Sequence, residues 1–315
     1  PRNTRLRGQS IIEYVLIIAI IGLVIVFAGP QVAGAIRNEF NQITNTVDSG
    51  TEGDNFISTE EKAYREAMKT VTQKEAKDWT LDEQKAAATD IAKNGTSSVV
   101  YAKARAAMDA GTTWSVKLTN GRTLEYRIIG INHDDLADGS GKAGLTFWAS
   151  NNSVGSDRMN TTDTNAGGWE ASELRSKMNS GEIWNLVPAD FQSKVKTVKK
   201  LTNNVSGTDK NAAITATTDK LFLLSYSEIV ETPYSGWSRF PWVGKEGSQY
   251  EAFQGKVTNN KGENDCLKIN PYVVSWWERS CYPDYSWWFA LVDNGTVGLS
   301  GNPSQRKTIL PAFCF

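Results

Sequence analysis

The chain has 315 residues, 40% of them hydrophobic and 22% charged, which is long enough for more than one domain and excludes a globally disordered protein. Its 34 Lys and Arg residues balance 35 Asp and Glu residues, so no net field draws it to nucleic acid, and we expect no nucleic-acid partner. Cys266, Cys281 and Cys314 permit at most one internal disulfide, whose pairing the sequence leaves open, and their spacings match no zinc pattern.

The first predicted element is a long apolar helix near the N-terminus. Residues 11–28 read IIEYVLIIAIIGLVIVFA and are apolar except for Glu13 and Tyr14. A helix of this length spans about 27 Å, which is nearly a bilayer. The preceding stretch carries three arginines and no acid, so the positive-inside tendency keeps the N-terminus in the cytoplasm. The sequence therefore predicts a membrane-inserted precursor whose remaining residues lie outside the cytoplasm.

An ordinary signal anchor is the alternative interpretation of this segment, and two features argue against it. The carboxylate of Glu13 costs about 2.5 kcal/mol or more at bilayer depth, so it needs a partner. Apolar residues also continue at helical spacing over 32–47, so the predicted helix extends beyond the membrane. Gly22 and Pro30 are expected to weaken this helix locally.

The stretch RGQSIIEYVLIIAIIG resembles the N-terminal motif of type IV prepilins, and its Glu-Tyr pair resembles that of the Flp subclass. The resemblance implies cleavage by a prepilin peptidase between Gly8 and Gln9, which divides the region into a leader (1–8) and a pilin stem helix (9–47). It also implies that Glu13 pairs with the terminal amine of a neighbouring subunit and fixes register in a filament. The positions with implied assembly roles are Glu13, Tyr14, Gly22 and Pro30.

A linker and a small helical segment are predicted to follow the stem. Residues 48–57 are rich in glycine, acids and small polar residues, which is typical of a linker. Two capping-box pairs predict helices that start near Thr59 and Leu81, and an alanine-rich run adds a third helix. Residues 58–111 are therefore predicted to be a helical spacer or collar.

The remaining residues, 112–315, predict a β-rich, mixed α+β domain. Alternating residues on both sides of Asn120-Gly121 are typical of a hairpin. Further strands are predicted at LTFWAS, KLFLLS, FALVDN and TILPAFCF, and short helices at GWEASELRSKMNS and PADFQSKVKTVKKLT.

This half resembles the DUF6273 family in the stretches IIGINHDDLADGSGKAGLTF, GGWEASELRS, TTDKLFLLS, EGSQYEAFQGK, WWERS and PAFCF, which cover nearly all of residues 113–315. The family is similar to C-type lectin-like and sulfatase-modifying-factor folds. The resemblance implies a compact lectin-like domain with long loops, an associational argument that does not by itself identify a ligand.

Aromatic residues are the first candidates for ligand binding. In an alternating strand, adjacent tryptophans point to opposite faces, so one of each pair could reach the surface, which singles out Trp277 and Trp287. Aromatic faces there could stack on a sugar ring, whereas the alternative is that both tryptophans pack in the core.

Acidic residues are the second candidates. Asp134, Asp135 and Asp138 lie around glycines, where several oxygen ligands could hold calcium or contact another ligand. The spacing departs from an EF-hand, and capping of backbone amides is the alternative. His133 is the only histidine and is expected to have a structural role. No catalytic motif is found, so we do not expect an enzyme.

The sequence favours a structural subunit that polymerises with copies of itself into a surface pilus. Its partners would be the prepilin peptidase, the assembly machinery and, before assembly, the cytoplasmic membrane. The alternative is a minor or tip pilin, or a membrane-anchored adhesin, that binds a glycan or host surface. A pseudopilin of a secretion system is a third possibility.

Overall fold

The computed structural model describes residues 57–258, 262–269 and 275–315. The described residues fall into two units, a small one with residues 57–59 and 138–140 and a compact one with the described residues of 60–137 and 141–315. The second unit contains the sheets and nearly all of the described helices, and its α+β content confirms the fold class predicted for this part of the chain.

Seven α-helices occur in the described ranges: α1 Thr59–Val71, α2 Leu81–Asn94, α3 Tyr101–Asp109, α4 Gly168–Ala171, α5 Glu173–Asn179, α6 Ala189–Gln192 and α7 Tyr226–Ile229. The described 3-10 turns are Ala76–Asp78, Gly95–Ser97, Trp184–Leu186, Ser235–Trp237, Pro241–Gly244, Glu251–Phe253 and Asp265–Leu267. Helix α2 starts where the sequence predicts, because the Thr80 hydroxyl accepts from the backbone N–H of Glu83 and the Glu83 carboxylate accepts from that of Thr80.

The strands of the described ranges are β1 Thr113–Lys117, β2 Thr123–Ile131, β3 Leu145–Ala149, β4 Ser156–Asp157, β5 Val198–Asn203, β6 Ile214–Asp219, β7 Ser275–Cys281, β8 Phe289–Asp293, β9 Thr296–Gly301, β10 Lys307–Thr308 and β11 Ala312–Cys314. They form a four-stranded antiparallel sheet (β1-β2-β3-β11), a five-stranded sheet (β4-β10-β7-β8-β9) and a two-stranded ribbon (β5-β6). Only the β10-β7 pair in these sheets is parallel.

The helical segment packs directly on the four-stranded sheet. At Gly144 the chain comes so close to α2 that a Cβ would stand 1.8 Å from the carbonyl oxygen of Ala88, so this position requires glycine. The indole N–H of Trp114 donates to the carbonyl of Ala76 over 3.0 Å, next to the first helices. Helices α1 to α3 therefore belong to the same compact unit as the sheets, apart from the first residue of α1.

Most predicted strands are confirmed, and one predicted helix is wrong in its second half. The hairpin at Asn120-Gly121 joins β1 to β2, with Lys117 opposite Thr123. The stretch LTFWAS contains β3 and FALVDN contains β8, whereas KLFLLS makes only an isolated bridge between Phe222 and Ala312. The helix predicted over residues 188–202 ends at Gln192, and its last residues form β5.

The fold class predicted from the sequence included a long N-terminal apolar helix, and this part of the prediction is wrong for the fold that the structure describes. In the described ranges, no helix has the length and apolar character needed to cross a bilayer, and the longest, α2, has 14 residues. The two longest, α1 and α2, mix alanine with charged side chains, and α1 buries only Val71, which suits packing on a sheet rather than insertion in lipid. The predicted stem helix (9–47) and all but the last residue of the predicted linker lie outside the described residues.

Candidate ligand-binding surface and buried charge network

The loop between β7 and β8 is held in place by two contacts beneath it. The side-chain amide of buried Asn165 donates to the carbonyls of Tyr285 over 2.6 Å and Trp288 over 2.8 Å. A Cβ at Gly207 would stand 2.1 Å from the carbonyl oxygen of Tyr282, so glycine is required for this close approach. The loop backbone is therefore fixed while several of its rings remain at the surface.

Six aromatic rings form a continuous cluster on this part of the unit. We call it the aromatic surface, and its members are Tyr234, Trp237, Tyr282, Tyr285, Trp287 and Trp288. Ring centroids are 4.3 Å apart between Tyr285 and Trp288 and 5.4 Å apart between Trp237 and Tyr282. Trp287 is 49% exposed and Tyr234 is 39% exposed. Trp237 is buried and the other three rings are half-buried, so the exposed part of the aromatic surface consists of Trp287 and Tyr234 with the edges of the rings between them.

Polar side chains lie beside these rings. The indole N–H of Trp288 donates to the side-chain oxygen of Asn302 over 2.8 Å, and the Asn302 amide donates to Asp163 over 3.4 Å. Arg239 forms an exposed ion pair with Asp284, which precedes Tyr285 in the loop. The aromatic surface thus combines apolar ring faces with amide, carboxylate and guanidinium groups.

A separate set of charged side chains lies in the interior and consists of Asp134, Lys200, Glu228 and Arg279, which we call the charge network. The Lys200 ammonium nitrogen is 2.5 Å from Asp134 Oδ1 and 2.5 Å from Glu228 Oε1. Arg279 donates to both oxygens of Glu228, over 2.5 and 3.0 Å. Two cations and two anions therefore neutralise one another inside the protein.

The neighbouring opposite charges shift the pKa of each residue in the charge network. Burial opposes the charged form of Asp134, but Lys200 overcomes this and holds the pKa of the carboxyl below its ordinary value. Arg279 and Lys200 act in the same way against burial to lower the pKa of Glu228. The two carboxylates in turn raise the pKa of Lys200 in spite of its burial. All four groups are charged at neutral pH.

Two further buried carboxyls, Glu246 and Glu278, form no ion pair within the described ranges. Burial raises the pKa of Glu246 to about 7, although its oxygens accept from the backbone N–H of Asn203 and the hydroxyl of Ser280. Burial also raises the pKa of Glu278 to about 8. One oxygen of Glu278 accepts from the backbone N–H of Gly298 over 3.0 Å, and the other has no hydrogen-bond partner among the described residues. Glu278 is therefore largely protonated at neutral pH.

A cleft of about 360 Å³ lies over the charge network, and His133 is part of its wall. The imidazole contacts Glu251 Oε1 over 3.2 Å and the carbonyl of Ser248 over 3.1 Å, and its ring stacks on Tyr250 at 4.1 Å. Burial opposes protonation, but the hydrogen bond that the imidazole donates to the Glu251 carboxylate and the charge of Asp134 raise the pKa of His133 above its ordinary value. Both ring nitrogens are occupied by protein groups, as expected for a structural histidine.

Comparison with known proteins assigns most of this unit to one family. Residues 143–315 match the family model described as "Domain of unknown function (DUF6273)". The chain belongs to the DUF6273 family. No curated protein and no solved structure matches the chain. The sequence resemblance is thus confirmed from residue 143 onward, and the aromatic surface lies wholly within the DUF6273 match, as does all of the charge network except Asp134.

The two tryptophans proposed from the sequence have opposite environments in the DUF6273 domain. Trp287 belongs to the exposed part of the aromatic surface. Trp277 is fully buried, and its indole N–H donates to the carbonyl of Asp157 over 2.9 Å. Trp277 therefore packs in the core, because β7 is covered on both faces and neither tryptophan of its pair reaches solvent.

The three aspartates proposed for calcium have separate partners. Asp134 is buried with Lys200, whereas Asp135 pairs with Lys142 over 3.0 Å. The Asp138 carboxylate accepts from the backbone N–H and the hydroxyl of Ser140, which is the amide-capping arrangement of a tight turn. In the part of the chain that the structure describes, no group of three or more metal-ligating side chains is found.

The three cysteines form no disulfide and lie in different surroundings. Cys266, Cys281 and Cys314 are free thiols. The Cys281 thiol donates to the carbonyl of Asn165 over 3.5 Å, whereas the Cys314 thiol is 3.6 Å from Asp134 Oδ2. Burial raises the pKa of both Cys281 and Cys314, which keeps them protonated and unreactive.

The predicted processing and assembly residues lie outside the described residues. These are Gly8, Gln9, Glu13, Tyr14, Gly22 and Pro30.

Sequence reasoning missed Lys200, Glu228 and Arg279, as well as most of the aromatic surface. One signal was available, since WWERS places Glu278 and Arg279 next to two tryptophans in a segment that otherwise looks like a buried strand. A charged pair in such a segment indicates buried partners elsewhere in the chain.

Proposed function

We propose that this chain is a subunit of a type IV-like pilus that displays its DUF6273 domain outside the cell, with the aromatic surface as its ligand-binding face. The observation that supports the display role is the N-terminal sequence RGQSIIEYV, in which an acid stands five residues after a glycine and a basic stretch precedes an apolar one. The observation that supports the binding role is the contiguous set of six aromatic rings, of which Trp287 and Tyr234 are exposed.

In the display role, a prepilin peptidase cuts the precursor in the cytoplasmic membrane between Gly8 and Gln9. The Glu13 carboxylate then pairs with the new terminal amine of a neighbouring copy, which sets the register of the polymer. The assembled subunit is extracellular, and the role involves no catalysis. A minor or tip position suits a large ligand-binding domain, and a short pseudopilin assembly would need no such surface.

The N-terminal mass of the subunit in sheared surface material tests this role. Electron microscopy that shows filaments, together with a chain that starts at Gln9, would support a processed pilin. An intact N-terminus in cells without filaments would contradict it. We expect Glu13→Ala to leave membrane insertion intact and to abolish most filaments, because the register contact is lost while the apolar run remains.

In the binding role, the ligand is a glycan or a glycan-bearing host surface. Exposed Trp287 and Tyr234 offer flat apolar faces, and Asn302 and Asp163 offer hydrogen-bonding groups for hydroxyls. We also propose a distant relationship to lectin-like folds, which the short strands and long intervening loops of the domain support.

Binding of cells that display the full chain to immobilised glycans tests this role. We expect Trp287→Ala to weaken binding by about tenfold or more, because about 1.4 kcal/mol of ring contact corresponds to a factor of ten. Val99→Ala removes an apolar side chain that is even more exposed, at 69%, from another part of the surface and should leave binding unchanged. Equal binding by both variants would exclude the aromatic surface as the ligand site.

A further inference from the structure

Inside the charge network, the amine of Lys200 is in direct contact with the carboxyl group of Asp134. Lys200 lies on β5, and Asp134 follows β2, 66 residues earlier in the chain. The side chain of each residue is only 3% exposed. With the nitrogen 2.5 Å from one carboxylate oxygen, the carboxyl carbon lies at roughly 3–3.5 Å, which is the separation of reacting atoms in a near-attack geometry.

We propose that Lys200 and Asp134 become joined by an intramolecular isopeptide bond. The inference does not depend on the proposed function, since it concerns only the interior of the unit. Three further features of the site carry it: a proton acceptor beside the amine, hydroxyl donors on the carboxyl group, and exclusion of water from both reactants.

Glu228 is the proton acceptor. Its Oε1 is 2.5 Å from the Lys200 nitrogen, on the same amine that contacts Asp134. Transfer of one proton to Glu228 produces the neutral amine that can attack the Asp134 carboxyl carbon. Arg279 holds both Glu228 oxygens and the backbone N–H of Ser225 donates to one of them, so this carboxylate is fixed in position.

Two hydroxyls serve the Asp134 carboxyl group. Thr146 donates to Oδ2 over 2.6 Å, and Tyr250 lies 2.9 Å from Oδ2 and 3.0 Å from Oδ1. Such donors stabilise the negative charge that develops on a carboxyl oxygen when its carbon is attacked. They also remain as donors to the oxygen of the finished amide.

The reaction balances without any oxidant or other reagent. The ammonium of Lys200 loses two protons, and its nitrogen keeps one and forms the bond to the Asp134 carboxyl carbon. One carboxyl oxygen gains both protons and leaves as water, and Glu228 returns the proton that it carried. The product is neutral, so one buried ion pair disappears while Glu228 stays paired with Arg279.

Exclusion of water makes this product durable. The Lys200 nitrogen lies 4.3 Å from the ring centre of Phe222 and 5.5 Å from that of Tyr250. Although the cleft lies over the network, the side chains of Lys200 and Asp134 are each only 3% exposed, so water has little access to the amide for hydrolysis. The bond would staple the end of the four-stranded sheet to the β5-β6 ribbon.

Tryptic mapping of the purified full chain tests the proposal. Trypsin cuts after unmodified lysine, so free Lys200 yields the peptide 201–210. An isopeptide blocks cleavage at Lys200 and gives a branched peptide that joins 128–142 to 200–210, one water lighter than the sum of its parts. We expect only the branched peptide, and an intact domain lighter by one water.

Matched lysine variants control the experiment. Lys200→Arg keeps the positive charge but has no nucleophilic amine, so the missing water should return to the mass. Lys199→Arg alters the exposed neighbour and should leave the cross-link complete. Glu228→Gln should leave a large fraction of the chain uncross-linked. Recovery of peptide 201–210 in full from the unaltered protein, or a branch to Glu228 in place of Asp134, would overturn the assignment.

Discussion

The charge network and the aromatic surface differ in their contact with solvent and with the rest of the protein. In the charge network, Lys200 and Arg279 meet Asp134 and Glu228 with almost no contact with water. In the aromatic surface, Trp287 leaves half of its side chain in solvent. The ion pairs of the charge network hold the interior in a single arrangement. The exposed ring of the aromatic surface remains available for contact with a partner.

We therefore expect the charge network to contribute mainly to the stability of the DUF6273 domain, and the aromatic surface to contribute mainly to binding. Removing one member of a neutralised buried set leaves a charge without a partner, which costs far more than losing an exposed contact. Removing an exposed ring exposes little new surface and costs little folding energy. Paired variants of the same residue type can therefore separate the two regions.

The largest effect is expected when the buried arginine is removed. Arg279→Met leaves Glu228 without its bidentate donor, so we expect a loss of about 3–5 kcal/mol in the free energy of unfolding. The control is Arg239→Met, which breaks the exposed pair with Asp284 and should cost about 1 kcal/mol or less. Urea denaturation of the two variants measures both values, and similar losses would refute the distinction between the regions.

The two tryptophans suggested by the sequence give the next comparison. Trp277→Ala should cost about 3–5 kcal/mol, because it opens a cavity in the core and frees the carbonyl of Asp157. Trp287→Ala should change stability by about 0.5 kcal/mol or less. Thermal denaturation distinguishes them, and a large loss of stability in Trp287→Ala would mean that this ring supports the fold rather than a ligand.

A smaller effect is expected from the buried acid Glu278. Its folded-state pKa of about 8 lies above the ordinary value of 4.5, so the folded state keeps a proton that the unfolded state releases. Stability from this group is therefore complete below about pH 4.5 and falls as pH rises, by about 3 kcal/mol between pH 5 and pH 8.

Glu278→Gln removes this titration and should flatten the dependence of unfolding free energy on pH over that interval. Glu246 titrates in the same direction in both proteins, so subtracting one curve from the other isolates Glu278. Curves that remain parallel from pH 5 to pH 8 would show that Glu278 is ionised in the folded state.

Local signals in the sequence predicted local structure well. The capping box at Thr80 fixed the start of α2, and Asn120-Gly121 fixed the first hairpin, because each depends on residues within four positions. The α+β class followed from the same signals.

The error at β5 has a physical cause in long-range electrostatics. Lys200 occupies a buried position of the strand, and Leu201 beside it is 40% exposed, which inverts the usual hydrophobic alternation. The inversion is stable only because Asp134 and Glu228 neutralise the lysine, and both come from distant parts of the chain. Most of the aromatic surface other than Trp287 was missed for a related reason, since its rings come from two separate loops.

The smallest expected effect is the loss of the exposed Arg239–Asp284 ion pair at high salt concentration. The exposed Arg239–Asp284 pair should contribute about 0.5 kcal/mol at low ionic strength, and this should vanish near 1 M salt, where screening acts over about 3 Å. The cost of Arg279→Met should stay nearly constant over the same range, because ions do not enter the interior that holds Glu228. The unfolding free energies of Arg239→Met, Arg279→Met and the unaltered chain at two salt concentrations give the cost of removing each arginine and its dependence on salt. A cost of Arg279→Met that falls with salt as steeply as that of Arg239→Met would place the charge network in contact with solvent.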